Sequence, residues 1–267
     1  MFWTKSKRII QIYFFISLFL FSACSSEKEN QEIDKEEKAV LTEEEQIIRQ
    51  VENKLGISAA EEYDIQILYK FINPDTLQDA LILVNRKDHA FQRAKINNSE
   101  RFFENTGYTA PHNHVFVKLG GLKNIIETTA VGSNVNYPLE AKFIELTSKA
   151  HQDFYVDYRI RNSLQRNYYT VRNNSIFKTF SCPVFDSIGA DIPKVYDIQH
   201  KVSSVRIAKD IALYQGEILD YNPEEITDVN NYTPKEIIGT DNLFVYFIFD
   251  QQSMKYKTPM NNKVGEE

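Results

Sequence analysis

Residues 63–84 set the strongest limit on the fold. Tyr63, Ile65, Ile67, Tyr69 and Phe71 alternate with Asp64, Gln66, Leu68 and Lys70, a period of two that describes a strand with one buried face. Asn73-Pro74-Asp75 breaks the run. Ala80, Leu81, Ile82, Leu83 and Val84 then follow without alternation, as in a strand covered on both faces. The two runs are expected to pair around the polar loop between them. Composition agrees: 15 Tyr and 18 Phe against 9 Gly favour strands, and 42% apolar residues suffice for a packed core.

Further strands are expected over His114–Leu119, Lys142–Thr147, Phe154–Ile160, Asn167–Val171, Ile176–Phe180 and Leu243–Phe249, with Met254–Lys257 pairing with the last. Asn173-Asn174 suits a tight hairpin turn. A helix is expected over Glu43–Leu55. Thr42 and Glu45 form a capping box, Ile47, Ile48, Val51 and Leu55 make an apolar stripe, and Gly56 suits a left-handed cap. A second helical stretch lies near Ala90–Ile96. The reading is a mostly β (α+β) fold: a single antiparallel β-rich domain over 42–258, opened by that helix, with a loose tail at 259–267. No internal repeat stands out.

The start of the chain bears on location. Lys5, Lys7 and Arg8 precede an apolar run of 13 residues, Ile9–Phe21. A membrane-spanning helix needs roughly 20, whereas a signal peptide fits this length and basic flank. Phe21-Ser22-Ala23-Cys24 resembles the lipobox of bacterial lipoproteins, with Phe where Leu is usual. The resemblance implies that residues 1–23 are removed and that Cys24 carries a diacylglycerol and an acylated amino group, a membrane anchor held by buried acyl CH₂ groups. By the same analogy Ser25, not Asp, favours the outer membrane, and Glu27-Lys28-Glu29 resembles surface-export signals. Residues 24–41 then read as a lipidated cysteine on a flexible acidic tether.

Charge excludes some partners. Without the leader's three basic residues, 28 bases face 37 acids, a net −9, a poor match for nucleic acid. With Cys24 lipidated, Cys182 has no intramolecular partner. Its apolar setting, Phe180-Ser181-Cys182-Pro183-Val184, describes a buried, inert thiol.

Several groups carry possible chemistry. The loop Asn73–Asp79 before an apolar strand is similar to FG-GAP or VCBS repeats, whose D-x-N-x-D-G-x-x-D loops hold calcium. Asn73, Asp75 and Asp79 match three ligand positions; Phe71 replaces the first Asp, and Thr76 the Gly. The resemblance implies Ca²⁺ held by oxygen ligands, against a hairpin loop with solvated acids. His112 and His114 would share one face of a strand and could meet one zinc, with His89, His151 or an Asp as third ligand, against two surface imidazoles. Tyr155, Tyr158, Tyr168 and Tyr169 with Arg159, Arg161, Arg166 and Arg172 form either a surface for an acidic or glycan partner or core aromatics with solvated arginines. Asp153 and Asp157 are about 13 Å apart along a strand, a wide spacing for paired acid–base work. No G-x-S-x-G, phosphate-binding glycine loop or H-E-x-x-H is present. These readings leave no catalytic residue assigned. They point to a lipid-anchored outer-membrane protein that binds or scaffolds an envelope protein or glycan, without a required cofactor. The rivals are a polymer hydrolase and a calcium-dependent binding module.

Overall fold

The computed structural model describes residues 41–128 and 130–259. The leader, Cys24 and most of the tether lie outside the described residues. The fold is mostly β, about 42% strand and 15% helix. It opens with helix α1 (Glu43–Leu55), whose capping box forms as the sequence demands. The Thr42 hydroxyl accepts the Glu45 amide, the Glu45 carboxylate accepts the Thr42 amide, and Gly56 closes the helix at φ 60°.

Twelve strands follow among the described residues, in three antiparallel meanders of four. The first contains β1 (Asp64–Lys70), β2 (Asp79–Asn85), β3 (Asn113–Lys118) and the short β4 (Ile126–Glu127). Helices α2 (Lys87–Ile96) and α3 (Glu100–Thr106) link β2 to β3. The second contains β5 (Glu140–Ile144), β6 (Asp153–Ile160), β7 (Ser163–Arg172) and β8 (Ser175–Asp186). The third contains β9 (Lys194–Lys201), β10 (Asp210–Ile218), β11 (Ile237–Asp250) and β12 (Lys255–Lys257). The second and third form one eight-stranded sheet, in which β8 pairs with β9 at Phe185↔Val195 and Asp186↔Lys194.

Three apolar clusters show how these pieces stack. Ile47 and Val51 of α1 pack with Ala80, Ile82, Val84 and Phe116. The intervening residues Leu81 and Leu83, with Val115 and Val117, pack with Phe154, Val156, Tyr169 and Val171 of the second meander. Strand β2 is therefore apolar throughout because successive side chains enter two different cores, and all seven of its residues are buried. The third cluster joins Tyr168, Phe180 and Cys182 of the second meander to Ile211, Leu213, Phe247 and Tyr256 of the third. The order through the molecule is helix, meander, meander, meander.

The structure corrects the sequence reading in three places. Strands β9 and β10 occupy residues that carry no strand expectation. In β9, Tyr196, Ile198 and His200 alternate with Asp197, Gln199 and Lys201, but the polar members mute the contrast, and β10 is irregular where Gly216 opposes Gly239. Helix α3 has seven residues, fewer than two full turns of periodicity. A structural repeat is also present. In each meander, the first two strands are joined by eight residues, 71–78, 145–152 and 202–209, and the second strand opens on a buried aspartate: Asp79, Asp153 or Asp210. Each aspartate pairs with the last residue of the strand before it: Lys70, Ile144 or Lys201. Only a spacing and one residue type recur, so residue identity conceals it.

Candidate functional site

The three eight-residue loops lie in a row. The Gln152 amide donates to the Ile72 carbonyl (2.9 Å), and the Lys209 amide donates to the Leu146 carbonyl (2.8 Å). Both bonds join the eighth residue of one loop to the second residue of the loop before it. The hairpin ends are thereby placed side by side.

Within the first loop, Asp79 is wholly buried, and its oxygens accept amides from Ile72 (2.7 Å), Asn73 (3.1 Å) and Gly120 (2.9 Å). Gly120 suits this place because a Cβ there would lie 2.6 Å from the Gln78 carbonyl oxygen. Asn73 accepts the Asp75 amide, and Asp75 accepts the Leu77 amide, the turn-bracing role usual for these side chains. The three residues proposed from sequence as calcium ligands thus brace the loop, and only Asp75 among them is exposed. Asp153 repeats the clamp, accepting the Leu146 amide (3.1 Å), the Thr147 amide and the Thr147 hydroxyl (2.9 Å).

His112 precedes β3 and His114 lies within it. The His112 ring meets His89 edge-on at 5.4 Å, whereas His114 stacks on Phe116 and has Nδ1 3.5 Å from Glu127. Burial, reinforced by His89 and Arg86, pushes both rings down to about 4, so both are neutral at pH 7. Arg86 binds Glu61 through two contacts of 2.6 and 2.7 Å, which ties up the carboxylate 3.7 Å from His89. Among the described residues, no group of three or more His, Cys, Asp or Glu side chains is placed to hold a metal ion.

The Arg/Tyr stretch divides differently from either sequence alternative. Tyr168 and Tyr169 are core residues, as one alternative has it. Among the arginines, only Arg161 is exposed. Arg166 forks onto Asp157 at 2.6 and 2.7 Å and lies 3.8 Å from the Tyr155 ring, which also takes Asp157 out of any pairing with the clamped Asp153. Arg159 is 4% exposed and has no carboxylate partner among the described residues. It donates instead to the Asn230 and Tyr232 carbonyls (2.9 and 2.6 Å) and lies over Tyr137 and Phe185, pinning the β10–β11 connection to the second meander. Cys182 is buried, and desolvation pushes its thiol up to about 12, so thiolate chemistry near neutral pH is suppressed.

Two clefts stand out. One, of about 720 Å³, lies beside α2 and α3. Tyr63, Phe91 and Phe103 give it an apolar floor, and Glu62, Asp64, Asp88 and Glu104 line it with a single base, Lys87. Asn85 also lines it, donating to the Val135 carbonyl (2.8 Å) while its buried Oδ1 lacks a partner among the described residues. The second, about 620 Å³, lies where the second and third loops meet. Sequence patterns do not reveal either, because each lining comes from segments far apart in the chain. No protein-family profile, curated protein or solved structure matches this chain.

Proposed function

We propose that this chain is a lipid-anchored protein of the bacterial outer membrane whose β-rich domain binds an envelope partner. The cleft beside α2 and α3 carries the binding reading. It is a preformed concavity with an apolar floor and a few converging polar groups, the usual form of a recognition site. Four carboxylates around aromatic rings suit a cationic segment, such as lysine or arginine side chains of a partner protein. The anchor reading rests on Phe21-Ser22-Ala23-Cys24 and on the basic, apolar leader before it.

Capture of partners by the native anchored protein tests the binding. A Glu104→Lys, Asp64→Lys double variant is expected to lose captured protein while keeping the wild-type melting temperature; retention of the same proteins would refute the cleft's role. Fractionation tests the anchor. Wild type is expected in the membrane and Cys24→Ala outside it, so equal partition of both would refute that part. One observation favours a second reading, hydrolysis of an envelope polymer: four carboxylates line one cleft, and glycoside hydrolysis uses a pair of them. Release of reducing ends, abolished by single carboxylate-to-amide changes, would favour it over simple binding.

A further inference from the structure

We infer that the cleft between the second and third meanders is a second binding site, separate from the acidic cleft, and that it takes an acidic sugar through its oxyanion group. Thr147, Ser148 and His151 come from the second loop, and Arg206, Ile207 and Ala208 from the third. Arg172 and Asn173 lie at the β7–β8 turn, Gln251 and Met254 at the β11–β12 turn, with Phe249 just before it. In a chain with more acids than bases, this lining has two arginines, one histidine and no carboxylate.

Both guanidiniums are held from behind. Arg172 donates to the Val171 carbonyl (2.8 Å) and the Thr147 hydroxyl (2.6 Å), with Asp153 at 4.0 Å. Arg206 donates one Nη to both oxygens of Asp210, at 2.9 and 2.8 Å. Asp153 is occupied by its own loop and Asp210 also accepts the Tyr246 hydroxyl. Neither carboxylate lines the cleft, and Nε of Arg172 with Nε and Nη1 of Arg206 have no partner among the described residues. Two planar donor groups held in place are suited to a carboxylate or phosphate. Burial lowers the Arg172 pKa even with Asp153 behind it, a cost that an arriving anion would relieve. Nδ1 of His151 is buried without a partner among the described residues, and burial together with Arg172 holds its pKa down.

The rest of the lining points to the carrier. A volume near 620 Å³ exceeds the need of a bare ion and falls in the small-molecule range. Ser148, Asn173 and Gln251 offer neutral hydrogen-bonding groups, and Phe249 and Met254 offer an apolar wall. Hydroxyls beside a C–H face describe a sugar, and the arginines add the requirement for charge.

Calorimetric titration of the full chain in neutral detergent, at fixed ionic strength, tests this with glucuronate, glucose 6-phosphate, inorganic phosphate and glucose. Saturable binding of at least one of the two acidic sugars, tenfold or more tighter than glucose, is expected. Arg206→Gln should weaken it at least tenfold, a typical effect of losing one charge-assisted contact. Because that change also disturbs Asp210, Ser148→Asp serves as a second variant. Among the described residues Ser148 accepts only the Ala150 amide, a bond that Asp can keep while placing a negative charge in the cleft, so equal or greater loss is expected. No binding of either acidic sugar, or binding indifferent to both variants, would overturn the site. Phosphate binding as tightly as glucose 6-phosphate, with glucuronate silent, would overturn the sugar assignment.

Discussion

The first and third hairpins begin from one plan and end differently. Both join two strands by eight residues, and both open the second strand on a buried aspartate. Asp79 spends its oxygens on three backbone amides, two from its own loop and one from Gly120 after β3. Asp210 instead takes a guanidinium from within its own loop and a tyrosine hydroxyl from β11. A backbone clamp leaves only structure. A side-chain clamp leaves the rest of an arginine facing outward. The difference suggests that a recurring structural element gains a binding group where its internal bond is made by a charged side chain rather than by the main chain.

That contrast can be tested by removing each clamp. Asp79→Ala should have the largest effect, about 3–5 kcal/mol, because three amides near the buried end of β2 lose their acceptor together. Urea unfolding with an unchanged slope checks it, and a loss below about 1 kcal/mol would break the distinction. Acid comes next. His112 and His114 in the first meander and His200 in the third are all pushed down to about 4 by burial. The unfolded chain takes up these protons near the ordinary value of about 6.5. Stability from these rings is therefore complete above pH 6.5 and lost as pH falls towards 4, at most about 3 kcal/mol per ring. Urea midpoints at pH 8, 7, 6 and 5 should be flat, then fall. His112→Gln with His114→Gln should flatten the fall more than His200→Gln. Asp153→Asn is expected to cost about 2 kcal/mol, since an amide keeps one acceptor for the Leu146 and Thr147 amides. Asp210→Asn should cost least, about 1 kcal/mol, because Arg206 is only partly buried and water can replace its partner. The same denaturation series measures both, and a reversed order would break the comparison.

How legible each part was depends on the range of its causes. Helix α1 is local: Thr42, Glu45 and Gly56 carry its start and stop within fifteen residues, and its predicted bounds match. Strand β2 was legible because both of its faces are buried, and the Asn173-Asn174 turn because two consecutive asparagines tolerate positive φ, here 50° and 57°. Strand β9 was hidden because its Asp, Gln and Lys residues sit among partly buried neighbours. The arginines misled for another reason: sequence cannot say that Arg159 meets carbonyls from residues 230 and 232. Asp79 was legible as an acid at the head of an apolar strand, but the three backbone amides it accepts were not, because residue type does not reveal them. The basic cleft draws on four separate segments, and no single segment carries its pattern.

The stacking order also has a kinetic consequence. The middle meander has an apolar cluster on each side, one shared with β2 and β3, the other with β10 and β11. Its central strands β6 and β7 can reach water only after a neighbouring layer has separated. Their amide protons should therefore exchange with deuterium last of all, and the slowest protons would mark the centre of the stack rather than either of its ends.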